Sequence, residues 1–319
     1  MGCGPSEPVP NEVSGPFPEF ALSDTIALHY EDLDDYPYND CIHPSIIDAS
    51  LHIENPIARY YLYFAPHKHD AISMCFSDSL EGPWSQYEEN PVIEGPSAPD
   101  MRWIEEVGQY VMWGHSHNSH TDYWFSSDGI NFDLQGESIN GSAIDCGNAT
   151  YTRVYEYPLE VYDSKYIMVY SGKVNSWFGD SWFGDPKRHV WLAYSSDGTN
   201  WTQLTTPLVK ASSGEKSYAK QEIYGPSFLQ YDGSNYVVYQ DNNSEQSGGI
   251  VKYVKLNGDL DPIGEDRKRN TMLIPSSEDP YNNRYRGGEF YQDGDMIYYY
   301  TGTGNKYSEV IVYASTTWN

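Results

Sequence analysis

The chain has 319 residues, with 46 acidic and 19 basic side chains and a formal net charge of -27. A surface of this sign repels the phosphates of nucleic acids and the headgroups of anionic lipids, so neither is an expected partner. No run of about 18 apolar residues occurs, so the sequence predicts no membrane-spanning helix. The high numbers of tyrosine, tryptophan, glycine and proline favour strands joined by tight turns.

The N-terminal segment is polar and rich in proline and glycine, and we predict a flexible tether over residues 1–19. Cys3 fits the lipid-bearing cysteine of a bacterial lipoprotein whose signal segment has been removed. We therefore expect an exported protein with a lipid anchor at Cys3, held at the bacterial cell envelope in the periplasm or at the outer membrane, or else secreted. The remaining cysteines show no CxxC spacing, which gives no indication of a zinc or redox site.

One structural unit recurs five times along the chain. Its central strand is rich in tyrosine and apolar residues, and the five copies lie at 60–64, 109–114, 165–172, 235–241 and 295–302. A shorter strand precedes each copy, and turns such as Asp-Gly between the strands supply the positive φ angles of tight hairpins. This repeat predicts an all-β fold, a five-bladed β-propeller of four-stranded antiparallel blades over residues 20–319.

Three further segments complete this organisation. The motifs "SSDGINF" at 126–132 and "SSDGTNW" at 195–201 follow third strands, so we interpret them as structural turns into an outer strand. The segment 20–30 is predicted to close the ring by pairing with the last blade. The segment 175–185 repeats Trp-Phe-Gly-Asp and is predicted to form a loop over one face of the propeller.

The starts of the inner strands are the places to look for a site, because these strands surround the axis and a ligand at one mouth meets all of them. Polar residues stand there instead of the valine or isoleucine of an ordinary core strand: Asp40, His43, Asp100, Arg153, Glu222, Tyr224, Arg286 and Glu289. Buried charges need a partner or a function. A structural ion network around the axis therefore remains an alternative to a substrate site.

A group of histidines, "HSHNSH", follows the central strand of the second blade. Its position predicts a loop at the mouth of the funnel, where His115 and His117 can hydrogen-bond a substrate. We assign no metal to these histidines, and transition-metal ligation remains the lesser reading of the cluster.

Several segments resemble the five-bladed propellers of glycoside hydrolase family 43 and its relatives, including family 117. They are "YYLYFAPHK" followed by "SDSLEGPW", "APD" at the start of the second blade and "GPSF" at the start of the fourth. The likeness covers roughly residues 40–315. It implies a carbohydrate-active enzyme that binds an oligo- or polysaccharide at the funnel and needs no cofactor, and it allows a structural Ca²⁺ in the central channel.

The catalytic pattern of the resembled family is not preserved. Family 43 places a general-base Asp before Pro in the first blade, where this chain has His43. It places a modulating Asp in the third blade, where this chain reads "YTRVY", and a general-acid Glu before Gly-Pro in the fourth, where this chain has Tyr224. Only the fold, the funnel mouth and Asp100 of "APD" carry over.

The sequence therefore predicts an exo-acting glycoside hydrolase that removes a terminal sugar at the funnel, since cleavage of this kind usually needs a pair of acid and base groups. The predicted catalytic residues are His43, Asp100, Glu222, Tyr224 and Glu289. The predicted substrate-binding residues are Asp40, Arg153, His115, His117 and Arg286. Two alternatives remain open: a polysaccharide lyase that acts on a uronic-acid glycan through His, Tyr and Arg side chains, and a sugar-binding propeller without catalysis.

Overall fold

The structure, a computed structural model, is almost entirely made of β-strands. It describes residues 17–33, 40–66, 69–116, 119–144, 147–173, 188–211, 222–242, 249–261, 270–273, 285–305 and 308–317. The only helical segments among them are short 3-10 turns at Tyr30–Asp32, Ala49–Leu51, Gly141–Ile144 and Glu160–Tyr162.

The strands form five antiparallel sheets, which are the blades of a propeller, and β1 (Ala21–Leu28) belongs to the last of them. Blade 1 contains β2 (Ile42–Asp48), β3 (Tyr60–Ala65), β4 (Ala71–Ser77) and β5 (Ser85–Gln86), with β6 (Ile93–Glu94) also paired to β4. Blade 2 contains β7 (Pro96–Ile104), β8 (Gln109–Ser116), β9 (His120–Ser126) and β10 (Asp133–Asn140). Blade 3 contains β11 (Thr150–Leu159), β12 (Ser164–Lys173), β13 (Arg188–Ser195) and β14 (Thr202–Gln203). Blade 4 contains β15 (Glu222–Tyr231), β16 (Ser234–Asn242), β17 (Ile250–Leu256) and β18 (Asn270–Leu273). Blade 5 contains β19 (Tyr285–Asp293), β20 (Met296–Asn305), β21 (Ser308–Thr317) and, as its outer strand, β1.

The inner strands β2, β7, β11, β15 and β19 surround the axis, and each contacts the next around a closed ring. The ring is closed by β1, which pairs antiparallel with β21. The predicted all-β fold of five four-stranded blades is thus confirmed, as is the predicted pairing of the segment 20–30 with the last blade. A closed ring of blades leaves few exposed strand edges.

The continuous apolar runs of the central strands reflect burial on both faces of each blade. In β3 the side chains of Tyr60, Leu62 and Phe64 pack toward blade 5. The alternate side chains of the same strand, Tyr61 and Tyr63, pack toward blade 2. Successive side chains of a strand point to opposite faces of its blade. A central strand whose blade packs against a neighbour on each face is therefore apolar at every position. Each of the five interfaces between blades has its own apolar cluster.

The repeated Ser-Ser-Asp-Gly motif forms the same hydrogen-bonded turn in two blades. Asp128 Oδ1 accepts the backbone N–H of Asn131 at 2.8 Å, and Asp197 Oδ1 accepts that of Asn200 at 2.8 Å. Burial alone would raise the pKa of each aspartate, but these hydrogen bonds and those from the asparagine side chains lower it. The structural interpretation of the motif is confirmed, since its carboxylates are used within the turn.

The start of the described chain packs against the propeller. Phe17, which falls in the predicted tether, stacks on Tyr253 with ring centroids 3.8 Å apart and an angle of 9° between the ring planes. Residues 1–16, with Cys3, and the predicted loop at 175–185 lie outside the described residues. No described helix has the length and hydropathy needed to cross a bilayer.

Candidate active site

A β-bulge interrupts every inner strand at the same level, close to its start. The pairing register breaks between Ile42 and Ser45, Ser97 and Asp100, Thr150 and Arg153, Tyr224 and Ser227, and Tyr285 and Gly288. Four bulge residues have left-handed backbone angles, with φ of 55° at His43, 52° at Ala98, 55° at Tyr151 and 57° at Gly225. Positive φ is unfavourable for residues with a side chain and is found preferentially at functional sites. The bulges therefore direct one short segment of each blade toward the axis.

Two glycines bring blades 4 and 5 into backbone contact at this level. A Cβ atom added to Gly225 would lie 2.3 Å from the Cα of Gly287, which leaves no room for any side chain. A Cβ added to Gly287 would lie 3.2 Å from Nδ1 of His43 in blade 1. The absence of side chains at these two positions lets the imidazole approach the axis and keeps the space above it open.

A small pocket lies on the axis at the level of the bulges. Its lining residues are His43, Ala98, Tyr151, Thr152, Arg153, Gly225 and Gly287, and the cavity that they enclose measures about 10 Å³, room for about one water molecule. Pockets for drug-sized ligands usually measure about 300–1,000 Å³. A sugar ring therefore does not fit inside the enclosed part of the pocket and would bind at its opening.

Aromatic rings from four blades meet at this pocket, and Tyr151 is at their centre. The ring centroid of Tyr151 lies 5.0 Å from that of His43, 5.7 Å from that of Tyr224 and 4.9 Å from that of His115. Tyr151 occupies in blade 3 the bulge position that His43 occupies in blade 1. His115 was predicted in a loop, but it lies within β8, where its ring meets Tyr151 edge-on.

Hydrogen bonds fix the hydroxyl group of Tyr224. Its Oη accepts Nη1–H of Arg286 at 3.0 Å and Nε2–H of Gln240 at 3.0 Å. A phenol oxygen has two lone pairs and one proton, so these two bonds use both acceptor sites and leave the O–H as a donor. These two bonds fix the orientation of the Tyr224 side chain next to Tyr151.

A cation stands against the outer side of the aromatic cluster. The guanidinium carbon of Arg188 lies 5.7 Å from the centroid of the Tyr151 ring, within the range of a cation–π contact. Burial, reinforced by the charge of Arg188, lowers the pKa of His115 to about 3. His115 is therefore a neutral imidazole at physiological pH.

Below the pocket, four charged side chains form a buried ion network across the axis. Arg102 Nη2 lies 2.9 Å from Asp100 Oδ1, and Nη1 of the same arginine pairs with Glu289 Oε1. Arg153 Nη1 lies 3.5 Å from Asp100 Oδ1. Burial alone would lower the pKa of Arg102, but the charges of Asp100 and Glu289 outweigh it and raise that pKa. Burial raises the pKa of Glu289 against the opposing charges of Arg102 and Arg153.

The same side chains also hold the backbones of neighbouring blades. Asp100 Oδ2 accepts the N–H of Val154 at 2.6 Å, and Glu289 Oε2 accepts the N–H of Ile46 at 3.0 Å. Arg153 donates to the carbonyls of Pro44 at 2.7 Å and of Gly288 at 3.3 Å, and also to that of Pro99. The contacts of Asp100, Glu289 and Arg153 therefore agree with the predicted alternative of a structural ion network.

The structure describes only some of the other predicted site residues. Asp40 is 2% exposed just before β2, and Arg286 is 4% exposed on β19. Glu222 is the first residue of β15, and its side chain is outside the described part. His117 also lies outside the described residues. The structure thus places His43 and Arg153 in the lining of the pocket, His115 and Tyr224 against the ring of Tyr151, and Arg286 on the hydroxyl group of Tyr224.

Several residues of the site were missed by sequence reasoning. Tyr151 could have been found, because it precedes Thr152 where His43 precedes Pro44 in the first repeat. Arg102 lies two residues after Asp100 in "APDMR", at the spacing that places both side chains on one face of a strand. Arg188 and Gln240 lie on β13 and β16, and nothing in their local sequence indicates contact with an inner strand.

The axis does not fit a calcium ion in the described residues. Calcium takes six to eight oxygen ligands, mostly from carboxylates and carbonyls. Within the described ranges no group of three or more His, Cys, Asp or Glu side chains is arranged to hold a metal. The two carboxylates that do reach the axis, Asp100 and Glu289, face the guanidinium groups of Arg102 and Arg153.

Comparison with solved structures shows the same architecture over nearly the whole chain. The BT0996 RGII complex matches with a TM-score of 0.68 at 9% identity, over 94% of this chain and 92% of the other. The β-1,2-mannobiose phosphorylase of Listeria innocua matches with a TM-score of 0.66 at 10% identity, over 93% and 96%. A thermostable family-43 glycoside hydrolase matches with a TM-score of 0.53 at 13% identity, over 86% and 88%.

The shared feature is the fold. The resemblance to the five-bladed propeller glycoside hydrolases is confirmed at that level, and identities of 8% to 14% carry no statement about activity. No protein-family model matches the sequence, and no curated protein matches it. The function must therefore be argued from the pocket.

Proposed function

We propose that this chain is a carbohydrate-active enzyme, an exo-acting glycoside hydrolase that removes a terminal sugar from an oligo- or polysaccharide at the axial pocket. The observation that carries the proposal is a cluster of rings from three blades at the axial pocket of a fold shared with glycoside hydrolases: His43 and Tyr151 line the pocket, and the ring of Tyr224 lies against that of Tyr151. Tyrosine rings provide apolar faces for a sugar ring and hydroxyl groups for its polar edge.

His43 and Tyr224 are the proposed proton-transferring groups. An imidazole can accept or donate a proton near neutral pH, and a tyrosine oriented by Arg286 and Gln240 can donate one to the oxygen of the leaving sugar. We propose no proton transfer at Asp100 or Glu289, because their oxygens are held by backbone N–H groups and guanidinium groups. Asp40 and Glu222 remain the candidate carboxylates for activating a water molecule.

Elimination is the second candidate reaction, and the types of the pocket residues favour it. A lyase that acts on a uronic acid needs a base for the proton beside the carboxylate, an acid for the leaving oxygen and a cation for the carboxylate. His43, Tyr224 and Arg286 have these properties, and they lie at one end of the propeller. The products distinguish the reactions, because hydrolysis adds one water and elimination creates a carbon–carbon double bond.

The test is a screen of the purified protein against plant and algal oligosaccharides, uronate-containing ones included, with products read by mass spectrometry and ultraviolet absorbance. We expect release of a monosaccharide from one end of the glycan, with one water molecule added across the cleaved bond. A product that contains an unsaturated uronate would contradict hydrolysis and show elimination. Binding without any product would contradict both reactions and favour the non-catalytic propeller.

On an active substrate, His43→Ala and Tyr224→Phe are each expected to lower kcat by about 100-fold or more, the usual contribution of a proton-transferring group. The matched control is Tyr162→Phe, which removes the hydroxyl of a tyrosine that is 38% exposed on blade 3. Its kcat should equal that of the wild type. Circular dichroism and thermal unfolding would confirm that all three variants fold. Full activity in both site variants would place the reaction elsewhere.

A further inference from the structure

The guanidinium group of Arg153 joins three other blades at the axial pocket. Its Nη2 donates to the carbonyl of Pro44 in blade 1 at 2.7 Å, its Nε donates to that of Gly288 in blade 5 at 3.3 Å, and its Nη1 donates to that of Pro99 in blade 2. Each of these carbonyls belongs to the residue that directly follows a pocket-lining residue. Arg153 is buried and lines the pocket itself, so one side chain of blade 3 is bonded to the backbone beside the lining in three other blades.

Two of the segments held by this guanidinium have unfavourable backbone angles. His43, just before Pro44, has a φ of 55°, and Ala98, just before Pro99, has a φ of 52°. Residues with a side chain keep such left-handed angles only where the surrounding contacts fix the backbone. Neither proline has an N–H group, so its carbonyl is the only backbone group through which it can hydrogen-bond. The bonds from Arg153 therefore fix the end of each strained segment.

The geometry of a guanidinium group suits these contacts better than a positive charge alone does. It carries five N–H donors in one plane, and in Arg153 all three nitrogens donate to carbonyls. The ammonium group of a lysine has its donors on a single nitrogen and cannot reach three carbonyls from three blades. Lysine would keep the charge that faces Asp100, whose Oδ1 lies 3.5 Å from Nη1 of Arg153. Arginine and lysine thus differ at this position in geometry and agree in charge.

Arg102 belongs to the same ion network and has different contacts. Its Nε donates to the carbonyl of Val154 in blade 3 at 2.9 Å, and its other nitrogens pair with Asp100 of blade 2 and Glu289 of blade 5. None of these contacts is with blade 1, which carries His43. Arg102 therefore provides a second arginine of the network against which the effect of Arg153 on His43 can be measured.

We infer that Arg153 is the positioning residue of the pocket. By holding the carbonyl of Pro44, it maintains the left-handed backbone of His43 and with it the place of the imidazole in the pocket lining. Arg153 acts through His43 and contacts no reacting atom. The inference rests on the proposed function for the catalytic role of His43, whereas the position of the imidazole can be tested without a substrate.

Arg153→Lys tests the inference in the full-length protein, and Arg102→Lys is the matched control, because both keep the charge of the network and remove a planar set of donors. The nine histidines are labelled with ¹³C, and the NMR signal of His43 is assigned by its loss in His43→Ala. We expect the Cε1–H signal of His43 to move or broaden in Arg153→Lys and to keep its position in Arg102→Lys. An unchanged signal in Arg153→Lys, or equal changes in both variants, would overturn the inference.

The strain at His43 provides a second test, which uses only stability. Glycine adopts a φ of 55° without a steric cost, so with His43→Gly in place the backbone no longer needs to be held. Arg153→Lys should therefore lower the urea midpoint less in the His43→Gly protein than in the wild type, whereas Arg102→Lys should lower it equally in both. An equal loss from Arg153→Lys in both proteins, or failure to fold in both, would overturn the inference.

Activity separates this inference from the proposed function. On an active substrate, Arg153→Lys should lower kcat about 10- to 100-fold and change KM less, because a proton-transferring group displaced by about 1 Å loses this much rate. Arg102→Lys should keep a kcat close to that of the wild type. Loss of activity in His43→Ala with a wild-type kcat in Arg153→Lys would overturn the positioning role and leave the proposed function standing. A His43 signal that depends on Arg153, without cleavage of any glycan, would support the positioning role and contradict the enzyme.

Discussion

Replacing Arg153 with methionine is expected to lower the free energy of unfolding by about 3–5 kcal/mol, the usual cost of removing one partner from a buried ion network. Methionine replaces the apolar stem of the arginine side chain and has neither a charge nor an N–H donor. The substitution removes a donor from three backbone carbonyls, those of Pro44, Pro99 and Gly288, of which Gly288 keeps the hydroxyl of Ser227. It also takes one of two cations from Asp100, which is fully buried.

The matched control is Arg59→Met, the same substitution at a side chain that is 45% exposed. Arg59 pairs with Asp48 at 2.9 Å and Asp293 at 3.1 Å near the surface, where an ion pair contributes about 0–1 kcal/mol. Urea unfolding at neutral pH, followed by fluorescence of the nine tryptophans, measures both variants. Similar small losses in both would show that the axial network contributes no more than a surface pair does.

The axis has two levels with different functions in this scheme. The lower level of Asp100, Arg102 and Glu289 is fixed by backbone groups and by the charges of its own members. The upper level of His43 and Tyr224 faces the pocket and is held by fewer, directional contacts. The bulges connect the two, since each inner strand passes from the upper level to the lower one within three residues. A substitution in the lower level should therefore affect stability, and one in the upper level should affect the ligand.

The sequence was sufficient to predict the blades because burial on both faces leaves a strong pattern. A run such as "YYLYF" at 60–64 has no polar alternation, and five such runs at similar spacing fit a propeller better than a sandwich with one solvated face. The same repeats located His43, Tyr224 and Arg286, since the start of an inner strand is a position that can be counted along the chain. These predictions needed only the order of residues within each repeat.

The roles of the carboxylates were harder to predict because they depend on contacts between blades. Asp100 lies two residues and Glu289 three residues beyond the bulge position of its strand, and both carboxylates reach Arg102. No local pattern shows that the Val154 and Ile46 amides use their remaining oxygens. Arg188 is separated from the inner strand of its blade by many residues, so its contact with Tyr151 depends on how β13 lies within blade 3.

Stability should fall as the pH falls from about 6.5 to about 3, in part because of His115. Its pKa is about 3 in the folded protein and about 6.5 in the unfolded state, so only the unfolded state binds a proton between these values. The stability associated with the neutral ring is fully present above pH 6.5 and is lost as the pH falls toward the folded pKa. The loss approaches about 5 kcal/mol over the whole window and about 2 kcal/mol at pH 5.

The variant His115→Phe isolates this contribution, because phenylalanine keeps the edge-on contact with Tyr151 and does not titrate. At pH 7.5 it should unfold at nearly the same urea concentration as the wild type, since Nδ1 of His115 has no hydrogen-bond partner among the described residues. At pH 5 the variant should be more stable than the wild type by about 2 kcal/mol. Other titrating groups are common to both proteins and cancel in the difference.

The matched control is His69→Gln, at an exposed histidine of blade 1. Its stability should follow that of the wild type at both pH values. A difference between His115→Phe and the wild type that stayed constant from pH 7.5 to pH 5 would mean that the imidazole is protonated in the folded state. In that case the imidazolium of His115 would be a buried cation beside Arg188, and the wall of the pocket would carry both positive charges. The pH dependence of one histidine therefore measures the electrostatic character of the whole site.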